Sequence, residues 1–261
     1  MSDWFHNLPV VWMALLVFGF TYFISAVIYV GVMSLAVGDR SRSFKSLSPG
    51  MLPPLGIIFG LFVGFTAAQV WTDGERASSA VDREASALRS VVILAATFPG
   101  EPETRLRTLI SSYIAEATSQ EWPLMAHRAI NLRIAPHHLA EALQLTLGLN
   151  PGGPGQETAQ REITSALENA MAARRERLMI SRSEVGGIKW CCLYLQAICA
   201  LIAIALVHSD NRLASAITMF LFATGVAAAV LVIAAHDRPF IGEISVGPGP
   251  LLQIIPASES G

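Results

Sequence analysis

Hydrophobic and polar positions divide the 261-residue chain into four long uncharged runs and one charged middle. From Trp4 to Gly38 there is no Asp, Glu, Lys or Arg, a stretch longer than the ~20 apolar residues a helix needs to cross a bilayer. It predicts a first span over about residues 10–37. At ~1.5 Å per residue such a helix would be about 40 Å long, so it must tilt, bend or protrude. No Lys or Arg precedes the run, which is also too long for the apolar core of a signal peptide, so the segment is expected to be retained. A connector from Asp39 to Gly50 carries Arg40, Arg42 and Lys45 and ends in Ser48-Pro49-Gly50, a turn sequence. The second span is expected at 51–71. Pro53 and Pro54 fall in its first turn, where a missing N–H costs little, and Trp71 followed by Asp73 marks an interface with water.

The pattern changes after Trp71. Between residues 73 and 189 lie 13 Lys or Arg and 14 Asp or Glu, which is 27 of the 38 charged residues in the chain. Residues 73–187 therefore read as a water-exposed domain. Apolar residues recur at helical spacing over Ala80 to Phe98, ended by Pro99-Gly100, and over Glu103 to Ser119, with Leu106, Leu109, Ile110, Tyr113, Ile114 and Ala117 on one side. Pro123 to Leu149 is expected to be helical with a break near Pro136. The loop Asn150-Pro151-Gly152-Gly153-Pro154-Gly155 precedes a long polar helix from Glu157 to Ser183. Two more spans follow, at about 188–207 and 213–235, with Lys189 at an edge where its stem can snorkel, a tight turn from His208 to Arg212 between them, and a Gly- and Pro-rich tail over 237–261. No segment alternates with period two. The expected fold class is all-α: a four-span integral membrane protein, hairpins 1–72 and 188–236, with a helical domain inserted between spans two and three.

Composition agrees: 52% of residues are hydrophobic and 15% charged, with a mean hydropathy of +0.49. That excludes a disordered chain and argues against a purely soluble enzyme. A net charge of −2 gives no sign of nucleic-acid binding. An even number of spans puts both termini and the helical domain on one side. Basic residues near the span ends are more numerous on the domain side, favouring a cytoplasmic domain, whereas the first connector alone argues the other way.

Candidate chemistry is sparse. No ionisable side chain lies well inside a span, which weighs against a pump or a proton-driven transporter but not against a passive pore gated by a hydrophobic constriction. Ile58, Phe62 and Phe65 share one face of the second span, with Gln69 a turn later; the same periodicity also suits packing against helices or lipid. Gly56, Gly60 and Gly64 form a small-residue ladder that lets helices approach closely, within one chain or between subunits. His127, His137 and His138, with Glu141 four residues after His137, invite a metal reading, but adjacent histidines diverge by about 100° on a helix and no further carboxylate is nearby in sequence; surface histidines are the plainer reading. Cys191, Cys192 and Cys199 suit small apolar positions in or near span three. No nucleophile motif, phosphate loop or catalytic carboxylate pair is present, so neither enzyme nor cofactor is expected. The basic run Arg174-Arg175-Glu176-Arg177 reads as a solvated helix face near headgroups, or as a vestibule lining in a closed oligomer.

Four segments together carry a family likeness: Pro53-Pro54-Leu55-Gly56 through Trp71, Asp82-Arg83-Glu84-Ala85, Glu121-Trp122-Pro123, and Asp237-Arg238-Pro239-Phe240-Ile241-Gly242-Glu243-Ile244. In this order they resemble the bestrophin-like family of bacterial and plant membrane proteins, itself distantly similar to bestrophin anion channels. The resemblance implies a homo-oligomer, a pentamer in bestrophins, passing chloride or other small anions. It puts a hydrophobic neck on Ile58 and Phe62, with Phe65 next, and a vestibule on the helix containing Glu84. Glu84 has an alternative role as partner of an arginine such as Arg182. The acidic cluster that clasps calcium in animal bestrophins has no counterpart, and Pro54 stands where another neck side chain is expected. The competing function is a non-conducting, membrane-anchored interaction or sensor protein whose helical domain binds a partner.

Overall fold

A computed structural model describes residues 3–36, 49–127 and 136–254. Among them every regular element is helical: α1 (Val10–Leu35), α2 (Leu52–Ala95), α3 (Glu101–Glu116), α4 (Trp122–Ala126), α5 (His137–Leu147), α6 (Pro154–Ile180), α7 (Gly187–Val207) and α8 (Arg212–His236), with two four-residue helical turns at Asp3–His6 and Gly249–Leu252. Helices α1, α2, α7 and α8 are long and apolar enough to cross a bilayer. The connector bearing Arg40, Arg42 and Lys45, and most of the segment leading into Pro136, lie outside the described residues.

The expected helix boundaries shift in three places, each for a local reason. The second span and the helix expected at Ala80–Phe98 are one element, α2, of 44 residues. Between Trp71 and Ala80 there is no proline, and Gly74 alone costs only about 1 kcal/mol relative to alanine, too little to stop a helix packed on both sides of it. The turn that does end it uses Gly100, whose φ of +97° is accessible to glycine without strain. Helix α6 begins at Pro154 rather than in the following turn, because a proline at the first helical position gives up an N–H that has no partner there. After α3 the chain widens into a single π turn, Ala117–Glu121, where the Trp122 N–H donates to the Ala117 carbonyl. Pro123 is the cause we assign, since its ring would clash with the carbonyl four residues earlier in a regular α-helix.

The described residues form two compact units. One contains the chain before Asp73, Glu184–Arg238 and Gly242–Ile244. Here α1 packs on α8 and α7, and α7 on α8. Met13, Val17, Phe59, Val70, Leu193, Val226, Val230 and Ile233 make the core. The tight turn before α8 is capped by Asn211, whose side-chain oxygen accepts the Ala214 N–H at 3.1 Å. The exterior of this unit is apolar: Trp12, Phe23, Val30, Ile57, Phe65 and Leu221 are each more than half exposed. Only 17% of the most apolar window of α2 is buried by the chain itself. Side chains of that kind need lipid or another subunit as their solvent.

The other unit contains Asp73–Ser183, Pro239–Ile241 and the chain after Ile244. The second half of α2 packs with α3, α5 and α6 around Leu88, Val91, Leu106, Ile110, Ile114, Leu139, Ile163 and Leu167. A smaller cluster joins Ala77, Val81, Met125, Leu178 and Phe240. The helical spacing of these residues in α3 and α6 is what the sequence pattern predicts.

Candidate functional site

Three groups of side chains carry the candidate chemistry. The first lies on α2 within the apolar unit. Ile58 and Phe65 point away from the core, 54% and 74% exposed, and Leu61 and Ile57 continue the open surface. Phe62 is half-buried and packs against the core, where Phe59 meets Phe222 with ring centroids 5.7 Å apart. Gln69, also half-buried, accepts a hydrogen bond from the Lys189 ammonium. Gly56, Gly60 and Gly64 are exposed, and a Cβ at any of them would meet nothing within 4 Å. In a single chain, therefore, the ladder leaves room for a helix that the described residues do not supply.

The second group is a buried ionic cluster in the polar unit. Helix α2 supplies Glu84, the π turn Glu121, and α6 both Arg174 and Arg177. The Arg177 guanidinium lies between two carboxylates: Nε donates to Glu84 Oε2 at 2.7 Å, and Nη2 donates to Glu84 Oε1 at 3.0 Å and to Glu121 Oε2 at 2.9 Å. Arg174 donates to Glu121 Oε1 from Nε at 2.8 Å. Tyr113 of α3 donates its hydroxyl to Glu84 Oε1. Arg177 also lies over the Trp122 ring, 4.6 Å from its centroid, and reaches Met125 Sδ at 3.3 Å. Glu84 and Arg177 are both wholly buried. Burial, and next the Glu84 charge, raises the Tyr113 pKa well above its ordinary value, so the phenol stays a donor. Burial alone would lower the Arg177 pKa, but the attraction of Glu84 outweighs it and the net shift is upward. Two carboxylates and two guanidiniums leave no net charge, and each carries hydrogen bonds, the condition under which ions tolerate a low-dielectric interior.

This cluster corrects two expectations. Glu84 is the partner of an arginine, but of Arg177 rather than Arg182, and its side chain is wholly buried. The run Arg174-Arg175-Glu176-Arg177 is not a solvated face, because only Arg175 of its three arginines is exposed. Arg177, Arg174 and Tyr113 are partners that the sequence pattern did not single out. The available signal was the three-residue spacing of Arg174 and Arg177, which puts both on the stripe shared with Ala170, Ala173 and Leu178.

The third group belongs to the segment that follows α8 in the chain, which contributes to each unit separately. Within the apolar unit, Asp237 Oδ1 accepts the Val185 N–H at 2.6 Å, and Oδ2 lies 3.4 Å from His6 Nε2. Gly242 has a φ of +92°, and a Cβ there would come within 2.9 Å of the His6 carbonyl, so both conformation and contact require glycine. Glu243 accepts the Val10 N–H at 3.2 Å, at the start of α1. Within the polar unit, Pro239 accepts the Val246 N–H at 2.7 Å, and Phe240 meets the Trp122 ring edge-on at 5.9 Å. The Trp122 indole donates to the Val246 carbonyl at 3.2 Å, while Pro123 is exposed beside it.

The histidines are arranged differently from the expectation. Glu141 pairs with Arg105 at 3.0 Å rather than joining His137. Glu116, 21 residues before His137, comes instead: its Oε2 lies 3.8 Å from His137 Nδ1 and 3.5 Å from His138 Nε2.

Together these features define an all-helical integral membrane protein with four apolar helices, bound internally by buried ionic contacts. The chain belongs to the bestrophin-like family, whose model, described as a bestrophin-like domain, matches residues 19–251. Its fold is similar to the crystal structure of a bacterial bestrophin homologue from Klebsiella pneumoniae carrying a point mutation, with a TM-score of 0.70, 12% sequence identity, and coverage of 92% of this chain and 97% of that one. No curated protein matches the sequence.

Proposed function

We propose that the protein is an oligomeric, passive anion channel whose second span lines a hydrophobic neck. The observation that carries this reading is the open apolar face of α2, where Ile58 and Phe65 project from a helix the chain leaves mostly uncovered. Family membership and the fold likeness support a channel-like membrane protein. A ring of such side chains around an axis gates by excluding water, needing no ionisable group at membrane depth. Phe62, one turn after Ile58, packs against the core behind this face, and Gln69, held by Lys189, supplies a polar side chain beyond the neck. By family likeness the assembly is a pentamer and the permeant ion chloride. The excess of basic residues at its span ends supports a cytoplasmic helical unit, and the family likeness supports a bacterial inner membrane.

Purified protein in planar bilayers or chloride-loaded vesicles is expected to pass chloride. Phe65→Ala and Ile58→Ala, by widening the neck, are expected to raise the flux several-fold. Silent bilayers from a folded wild-type oligomer, or currents unmoved by both substitutions, would overturn the reading and favour a membrane-anchored interaction protein.

A further inference from the structure

We infer that Glu116, His137 and His138 form a binding site for a divalent transition-metal ion of the zinc type, with three protein ligands and a fourth position open to water. Glu116 is the last residue of α3, and the two histidines are the first of α5. One ligand atom from each residue lies within 4.8 Å of the other two. Consecutive histidines diverge inside a helix, but these two occupy its first turn and sit with ring centroids 3.8 Å apart, both facing the same carboxylate oxygen. The spacing suits a metal. Ligands bound at about 2.0–2.1 Å in a tetrahedron lie about 3.3–3.4 Å apart, and Oε2 is already 3.5 and 3.8 Å from the two imidazole nitrogens. The His137 ring, 65% exposed, has room to turn towards the other two donors.

The donor set decides the class of ion. Two imidazoles and one carboxylate favour zinc, cobalt or nickel over calcium and magnesium, which take mainly oxygen ligands. The surroundings do not oppose a cation. Arg105 of α3 is engaged by Glu141, and among the described residues Glu116 has no arginine or lysine partner. A bound ion would tie the end of α3 to the start of α5, which already pack together. His138 and Glu116 are partly shielded while His137 is open, so an ion can enter from solvent without unfolding the unit.

The test uses full-length protein in detergent, stripped with a chelator. Cobalt(II) gives a visible absorption band in a tetrahedral site, and zinc competes it away. One cobalt per chain is expected, displaced by one zinc but not by calcium or magnesium. His138→Ala and Glu116→Gln should each weaken binding on the order of 10-fold or more. His208→Ala, in the apolar unit and so apart from this group, should leave it unchanged. All three are partly exposed positions, and each variant's melting temperature without metal is recorded so that misfolding is separated from lost ligation. No stoichiometric band, or binding that survives both His138→Ala and Glu116→Gln in folded protein, overturns the site and leaves a surface contact between Glu116 and the two imidazoles.

Discussion

Arg177 does for the polar unit what an apolar residue cannot, because a single guanidinium binds carboxylates from α2 and the π turn while its flat face covers Trp122. Removing it leaves a wholly buried Glu84 and a largely shielded Glu121 with Arg174 as the remaining cation. Arg177→Met is therefore expected to cost about 3–5 kcal/mol, the usual scale for breaking a buried pair. In detergent this reads as a fall of roughly 10 °C in melting temperature. Replacing both partners removes the unpaired charge: Glu84→Gln with Arg177→Met should recover at least about 1 kcal/mol relative to Arg177→Met alone. A double variant no more stable than that single one would show that packing, not charge, sets the cost. The sequence disguised this cluster. Charged runs on polar helices are normally solvated, and its carboxylates lie 93 and 56 residues from Arg177, so only tertiary structure could pair them.

Helices were easier to read than their joins. Charge-free runs located all four apolar helices, since water-soluble side chains are too costly inside a bilayer and their absence is a strong signal. Pro99-Gly100 and the Asn150–Gly153 loop likewise ended helices where a restricted or permissive backbone requires it. Harder to see was that α2 continues past Trp71, because hydrophobicity changes there but helix propensity does not. The π turn before Pro123 was also hidden, as it depends on which of two distortions the tertiary packing prefers. Gly74 sits in the middle of the continuous helix, where an added methyl group would meet nothing within 4 Å. Gly74→Ala is expected to raise stability by about 0.5–1 kcal/mol, measured as a higher melting temperature with unchanged helical circular dichroism. A loss of stability instead would mean that α2 bends at this glycine in the working protein.

At the scale of the molecule the apolar exterior poses the largest physical demand. Lipid can cover Phe23, Val30 and Leu221, but it gains nothing particular from Gly56, Gly60 and Gly64, which open a shallow groove along α2. A neighbouring helix gains close van der Waals contact there, and in a bilayer such packing is a main source of association. The sequence displayed the ladder but left open whether it served the chain's own helices. In the fold no described residue fills it, which turns the ladder towards a second copy. Gly60→Leu and Gly64→Leu are therefore expected to shift native mass spectra of detergent-solubilised protein from oligomer to monomer. Gly31→Leu, on α1 and equally open within the chain, should change them little. Helical content should stay constant in all three, because leucine is a better helix former than glycine. An oligomer that survives both α2 substitutions would place the subunit contact on another face of the apolar unit.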